Sequence, residues 1–341
     1  MKQTLTDANF PRTADLRVYH LGLRPGEVAN RIITVGSPSR ARTVAAHFDA
    51  APKHFELASE RGFLTITGRY KGVPVSVVSI GMGHPNVDFF VREVRECLSG
   101  DMLIIRLGSC GSLIDVPVGS VVIPKSSVAV ERNLDFDFVN PEECTEQPYR
   151  ISKPVMADAE FHAQVHKSLA DAKPPGGKTV IVAGSANASA DSFYSSQGRQ
   201  TSFPDQNDSL IEHLQASVKD LATFEMETFW LYHLAACWSG RKGTSGGALA
   251  PPLAAAPVKP TGSQLSTAKA TPNALAGHDT IIRAAAAQMV FASRTSQDFI
   301  TPDEVTILED WTGKGVLDAL AEMHVASDRV HAEEGSVWEL V

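Results

Sequence analysis

No apolar run in the 341-residue chain approaches the length of a membrane span, so no membrane partner is expected. The opening stretch, MKQTLTDANFPRTADLRVYH, is polar and lacks the apolar core of a signal peptide. Cysteine is scarce. Cys97, Cys110, Cys144 and Cys237 lie far apart and form no C-x-x-C, which argues against a disulfide framework or a thiolate zinc site. Reduced thiols and a cytoplasmic location are the expectation, and the sequons at Asn187 and Asn207 then carry no glycan. Positive charge is not in excess either: 31 Lys+Arg against 39 Asp+Glu give a formal net charge of −8. Nucleic acid is therefore a poor general partner, and an anionic substrate would need a local cluster of cations. No G-x-x-x-x-G-K-[ST] run supplies a P-loop.

What is present is an alternation of strand-like and helix-like segments, with 43% hydrophobic residues to build a core. RIITV (31–35) predicts a strand, and GSPSR a turn into a helix through Phe48. GFLTITGRY and VPVSVVSIG predict a hairpin around Lys71-Gly72. PNVDFFVREVRECL (85–98) spaces its apolar residues as a helix, and DAEFHAQVHKSLADA (158–172) does the same. DMLIIRL, SVVIP and KTVIVAG predict strands, the first ending near Arg106 and followed by a glycine-rich exit. ATFEMETFWLYHLAACW (222–238) predicts a strand passing into a helix, and a last helix falls within 305–325, its start blurred by glycines. TIIRAAAAQMVFASRT (280–295) is divided: its alanines favour helix, its flanks strand. Residues 239–277 are rich in Gly, Pro, Ser, Thr and Ala with almost nothing to bury, which predicts a flexible loop inserted into one domain spanning 1–341.

Five segments carry groups with chemistry to offer. RLGSCGSL (106–113) places Arg106 at the end of a buried strand, followed by Gly108, Ser109 and Gly111. A structural ion pair and a plain turn explain this as well as an anion site does, in which the guanidinium fork and exposed backbone N–H groups would hold phosphate. VGSPSR (35–40) sets Gly36 and Arg40 at a helix start, where anions are favoured. SERGF adds Arg61, otherwise a loop charge. FYSSQGR (193–199) combines Phe193, Gln197 and Arg199. An amide and a guanidinium can read a heterocycle carrying carbonyl and N–H groups, and the ring can stack on it; a polar surface loop is the plain alternative. FEMET (224–228) puts Glu225 and Glu227 around Met226 at a strand–helix junction, where a carboxylate can accept from two adjacent hydroxyls or simply favour the helix start. His162 and His166 stand four apart on a polar helix face, with no third metal ligand in evidence, so no metal is expected.

In chain order, the pieces VYHLGL, VGSPSR, ASERGF, GMGHPN, RLGSCG, SADSFYSSQGR, FEMET and SRTSQ resemble the nucleoside phosphorylase superfamily, and within it the uridine phosphorylases. The resemblance spans nearly all of the chain outside the insertion. It implies a three-layer α/β/α sandwich around a mixed central sheet, with the alanine-rich run as a core strand. It implies phosphorolysis of uridine to uracil and ribose 1-phosphate, with inorganic phosphate as co-substrate and no cofactor. Gly36, Arg40, Arg61, Arg106 and Ser109 would hold phosphate. His20, Met226 and Glu227 would hold the ribose, and Phe193, Gln197, Arg199 and Arg294 the uracil. It also implies a homodimer with shared sites, open to further assembly. The chain departs from the pattern in three places. Ser37 stands where an aspartate is usual and Ser109 where a threonine is usual. Gly62 follows Arg61 where some relatives carry a glutamate for a monovalent cation. Purine-specific members have Ser-Asp at the position of Ser293-Arg294, which favours a pyrimidine here.

Overall fold

Both faces of the central strands are apolar, and that decides the layering. The computed structural model describes residues 4–240 and 279–340. A short ribbon of β1 (Leu5–Thr6) and β2 (Arg12–Thr13) comes first. β3 (Arg31–Val35) leads into α1 (Pro38–Ala45). The meander β4 (Phe55–Ala58), β5 (Leu64–Tyr70) and β6 (Val73–Ser79) leads into α2 (His84–Arg95). Lys71 and Gly72, both at positive φ, make the predicted hairpin turn. The long strands β7 (Met102–Ser112) and β8 (Val121–Arg132) follow, with β9 (Tyr149–Ile151) and β10 (Val155–Met156) returning along β8. Then come α3 (Ala159–Ala172), β11 (Ile181–Ala190), α4 (Leu210–Ser217), β12 (Leu221–Glu225) and α5 (Thr228–Ser239). β13 (Ile282–Ser293) and α6 (Pro302–Glu322) complete the core.

The main sheet runs β10-β8-β11-β12-β7-β3-β6-β5-β4, with β13 paired to both β7 and β8 and β9 paired to β8. It is mixed: β3–β7 and β7–β13 are parallel, β7–β12 and β8–β13 antiparallel. Alternate residues divide between two faces. Ile33, Ile105, Ala285 and Ala287 pack with Val44, Phe161 and Leu317 of α1, α3 and α6. Ile32, Ile104, Ala284 and Ala286 pack with Phe90 and Leu231 of α2 and α5. The expected three-layer architecture is therefore present. Among the described residues no helix is long and apolar enough to cross a membrane.

The alanine-rich run is a strand. Its four alanines fall two to each face, and pairing with β7 along its length outweighs their helix propensity. Two expectations need correction. The strand at 101–107 does not stop at Arg106 but continues through Ser112, because Gly108 and Gly111 stay in register with β13 and Gly111 also with β12. The last helix starts at Pro302, under a capping box of Thr301 and Glu304. Its glycines are contact points, not a frayed start. A Cβ on Gly313 would stand 3.0 Å from Val44 Cγ2, and one on Gly315 would stand 2.8 Å from Leu169 Cδ2. The predicted loop at 239–277 lies, apart from Ser239 and Gly240, outside the described residues.

The segment after α6 crosses the sheet end remote from Gly36. Arg329 there pairs with Asp101 at 2.6 Å, and the Trp338 carbonyl accepts from Arg69 at 2.9 Å. Gly100, at φ +77°, sits beneath it, and an added Cβ would meet the Arg329 carbonyl oxygen at 2.1 Å. Gly119 has the same hand of backbone (φ +83°) but open space around it. Gly119→Ala should therefore cost about 1 kcal/mol of stability from backbone conformation alone. Gly100→Ala should cost clearly more, with a melting temperature lower by roughly 5–10 °C, because the closing segment must also move. Equal melting temperatures for the two variants in calorimetry would contradict this packing.

Candidate active site

Gly36 after β3, mid-β7, the β12–α5 junction, the end of β13 and the loop after β11 converge on a cavity of about 300 Å³. One end is cationic. Arg106 is a strand residue fixed on both sides by β3 and β13. Its side chain is 4% exposed and its Nη2 donates to Glu227 Oε2 at 2.8 Å, while Nε and Nη1 are buried without a partner among the described residues. Arg40 enters from the first turn of α1, its Nε donating to Glu309 at 2.7 Å. Burial pulls the Arg40 guanidinium below its usual pKa, with Arg106 nearby acting in the same direction and Glu309 opposing. The two guanidinium groups meet at one point: a Cβ on Gly36 would lie 3.8 Å from Arg106 Nη2 and 3.9 Å from Arg40 Nη1. Ser37 caps α1, its Oγ accepting from the Arg40 backbone N–H at 3.2 Å, so the helix start points into the same corner. Ser109 adds a hydroxyl. Two buried cations, a helix N-terminus and free N–H groups are the makings of an anion site.

The strand–helix junction supplies the centre. Glu225, the last residue of β12, accepts from the backbone N–H groups of Glu227 and Thr228, both at 2.9 Å, from Asn187 at 2.8 Å, and from Ser189. Burial first, and Glu227 second, push its pKa up. Its oxygens are spent on holding the turn, which leaves Glu227 as the carboxylate free to serve the cavity. Glu227 accepts from Gly83 N–H at 2.6 Å and from Arg106. A carboxylate offers about four lone-pair positions, so roughly two remain for hydroxyls. Met226 lines the cavity beside it.

The other end is amphipathic. Gln197 closes a 3-10 turn and Gly198 takes a left-handed conformation (φ +61°). Two side chains hold this loop: Asn207 donates to the carbonyls of Ser195 and Arg199 at 2.9 and 3.1 Å, and Arg294 to those of Gln197 and Gly198 at 3.1 and 3.2 Å. Gln197 is buried and lines the cavity. The Arg199 guanidinium lies 4.1 Å over the centre of the Phe193 ring, and burial, followed by Arg294, lowers its pKa. Phe291 and Phe299 supply apolar wall.

Nine of the twelve expected site residues thus line one cavity: Gly36, Arg40, Arg106, Ser109, Phe193, Gln197, Arg199, Met226 and Glu227. Arg294 stands behind it, pinning the loop by its carbonyls. One face of Phe193 is covered by Arg199, so that ring has only its other face to offer. Gly108 does not line the cavity; its missing Cβ makes room for Gln288 Oε1, which would lie 2.5 Å away. His20 stacks on Phe89 at 3.8 Å, with Nδ1 2.6 Å from Glu93, and Arg61 is exposed over the Tyr19 ring; neither lines the cavity. His162 bonds to the Ile123 carbonyl at 3.0 Å. Sequence reasoning missed Gly83, Asn207, Phe291 and Phe299. Only the glycine pair of GMGHPN, at a helix start, could have signalled the first.

The family model of the phosphorylase superfamily matches residues 30–239, the stretch that holds both guanidinium groups, the Glu225–Glu227 junction and the loop of Gln197. The chain belongs to the phosphorylase superfamily. It is 31% identical over 247 residues to the uridine phosphorylase of Thermococcus kodakarensis, covering 71% of this chain and 80% of that one. A structure from work on two uridine phosphorylases of the oomycete Phytophthora capsici superposes with a TM-score of 0.78 at 35% identity, covering 94% of this chain and all of the other. A Trypanosoma brucei nucleoside phosphorylase shares the fold at 20% identity and a TM-score of 0.68. A DeoD-type purine nucleoside phosphorylase of Geobacillus kaustophilus is 38% identical over 110 residues, covering 32% of this chain and 45% of its own.

Proposed function

We propose that this phosphorylase-superfamily chain is a uridine phosphorylase, a pentosyltransferase that converts uridine and phosphate reversibly into uracil and ribose 1-phosphate. The observation that carries the reading is Arg106, whose buried Nε and Nη1 have no acceptor among the described residues and whose guanidinium stands beside that of Arg40 at Gly36. Hydrolysis by water would not call for that cluster. Phosphate enters as the nucleophile at Gly36, Arg40, Arg106 and Ser109. Ribose hydroxyls fill the open positions on Glu227 beside Met226. The base lies against Gln197 and Arg199, with Arg294 holding their loop. As the bond from C1′ to N1 of uracil stretches, positive charge grows on C1′ and the ring oxygen, and the phosphate dianion below stabilises it. The C1′–O bond to phosphate then forms, and the electron pair of the broken bond leaves with the uracil, which takes up a proton at N1. Arg199 and the Gln197 N–H donate to the leaving base where negative charge develops, the type of interaction that accelerates a reaction because it strengthens in the transition state. The reading invokes no cofactor and no metal.

We further propose that the working unit is a homodimer, which can assemble further, in which His20 and Arg61 complete the partner subunit's site. Their absence from the lining of their own chain's cavity supports this.

The test is direct. Uridine absorbance should fall in the presence of enzyme and phosphate and hold steady without phosphate. Loss of uridine without phosphate would identify a nucleosidase. Purine nucleoside phosphorolysis is the second reading, favoured by the local similarity to DeoD-type enzymes; phosphate-dependent turnover of inosine but not uridine would establish it instead.

A further inference from the structure

On the α2/α5 face of the sheet Arg106 has a polar neighbour that the reaction does not use. Gln288 of β13 is fully buried, pairs with Gly108 of β7, and lies two residues beyond Ala286, which pairs with Arg106. Its Nε2 is committed to the Thr228 hydroxyl at 2.5 Å, and Thr228 is itself held by Glu225. Its Oε1 is buried without a hydrogen-bond partner among the described residues, and so is Arg106 Nε. These two atoms are complementary, an acceptor and a donor, and they approach one point: the place a Gly108 Cβ would take lies 2.5 Å from Gln288 Oε1 and 3.3 Å from Arg106 Nε. Leaving either buried group unpaired costs on the order of 1–3 kcal/mol.

We propose that Gln288 is a positioning residue for Arg106, its amide oxygen accepting from Arg106 Nε through one bridging water in the space that glycine at 108 leaves open. This rests on the reading of Arg106 as the phosphate ligand. The donors of Arg106 then divide three ways: Nε to Gln288, Nη2 to Glu227, and Nη1 to phosphate. The guanidinium is planar, so fixing Nε fixes the plane and therefore the direction of Nη1. An amide suits the task better than a second carboxylate, because it orients the cation without cancelling the charge that phosphate needs. In this orientation the amide NH2 donates to Thr228, which leaves the oxygen on the arginine side.

The experiment compares the unaltered protein with Gln288→Met, which keeps length and removes the acceptor, and Gln288→Leu as a second deletion of it. Uridine and phosphate are varied separately, and inorganic phosphate binding is measured by calorimetry. We expect the KM and dissociation constant for phosphate to rise about tenfold, with KM for uridine and kcat within about threefold. If the unaltered enzyme consumes uridine without phosphate, the functional reading itself fails. If it requires phosphate and both variants keep its phosphate KM within twofold, or lose phosphate and uridine affinity in equal measure along with melting temperature, the positioning role is overturned. A crystal structure of the unaltered protein decides the matter should neither variant fold: density for a bridging water or a direct contact supports the role, and two unlinked atoms overturn it.

Discussion

An Arg106→Met chain is expected to lose at least about a thousandfold in kcat/KM for uridine phosphorolysis, equivalent to roughly 4 kcal/mol. Two losses combine. The proposed phosphate site loses its cation, whose Nε and Nη1 have no acceptor among the described residues. Glu227 loses its ion pair and is left, 5% exposed, with the Gly83 N–H as its remaining partner among the described residues. Stranding one member of a buried pair typically costs 3–5 kcal/mol, so the melting temperature should also fall. The two effects separate in a double variant. Adding Glu227→Gln to Arg106→Met removes the stranded charge and should recover much of the stability, but none of the activity. A coupling energy in stability of about 1–3 kcal/mol is the expected signature of the contact. Arg106→Met activity within tenfold of the unaltered chain would remove Arg106 from the phosphate site. Full additivity of the two stability losses would show that the pair does not stabilise the fold.

The same arginine shows what the sequence could and could not disclose. Its residue type announced either an ion pair or an anion site, and it is both a partner of Glu227 and a donor with N–H groups to spare. Its place in the strand was misjudged, because glycines at 108 and 111 signal a turn when read locally. Only the neighbouring β13 shows that they permit close approach inside a sheet. The helix glycines 313 and 315 misled for the same reason. Period-based signals worked where burial is one-sided or continuous, as in α2 and β3, and the alanine run needed its neighbours to decide it. Among site residues, those at element starts and ends, Gly36, Arg40, Glu227 and Gln197, were legible as motifs. Asn207 and Gln288 were not, because their work is to hold other groups across 8 or more residues of chain, and no spacing rule records that.

The last expected result concerns His20 and Arg61, two residues proposed as ligands that do not line the cavity of their own chain. Arg61 is exposed and rests its guanidinium 5.0 Å from the centre of the Tyr19 ring, while His20 is stacked against α2 through Phe89. Arg61 is thus open to solvent, and His20, its side chain 25% exposed, is partly so. If each completes the site of a symmetric partner, Arg61 acts across the interface and Glu227 within its own subunit. Arg61→Ala and Glu227→Ala chains should each be nearly inactive alone. After mixing and subunit exchange, about half the dimers are hybrids. In each hybrid one site has both residues and the other has neither, so activity should climb to about a quarter of that of the unaltered enzyme. The control is Arg106→Ala mixed with Glu227→Ala. Those two residues bond within one chain, so every hybrid site carries one lesion and no activity should return. Exchange itself is followed with differently tagged chains. Demonstrated exchange without recovery in the first mixture, or recovery in the control, would show that the site is not divided between subunits in this way.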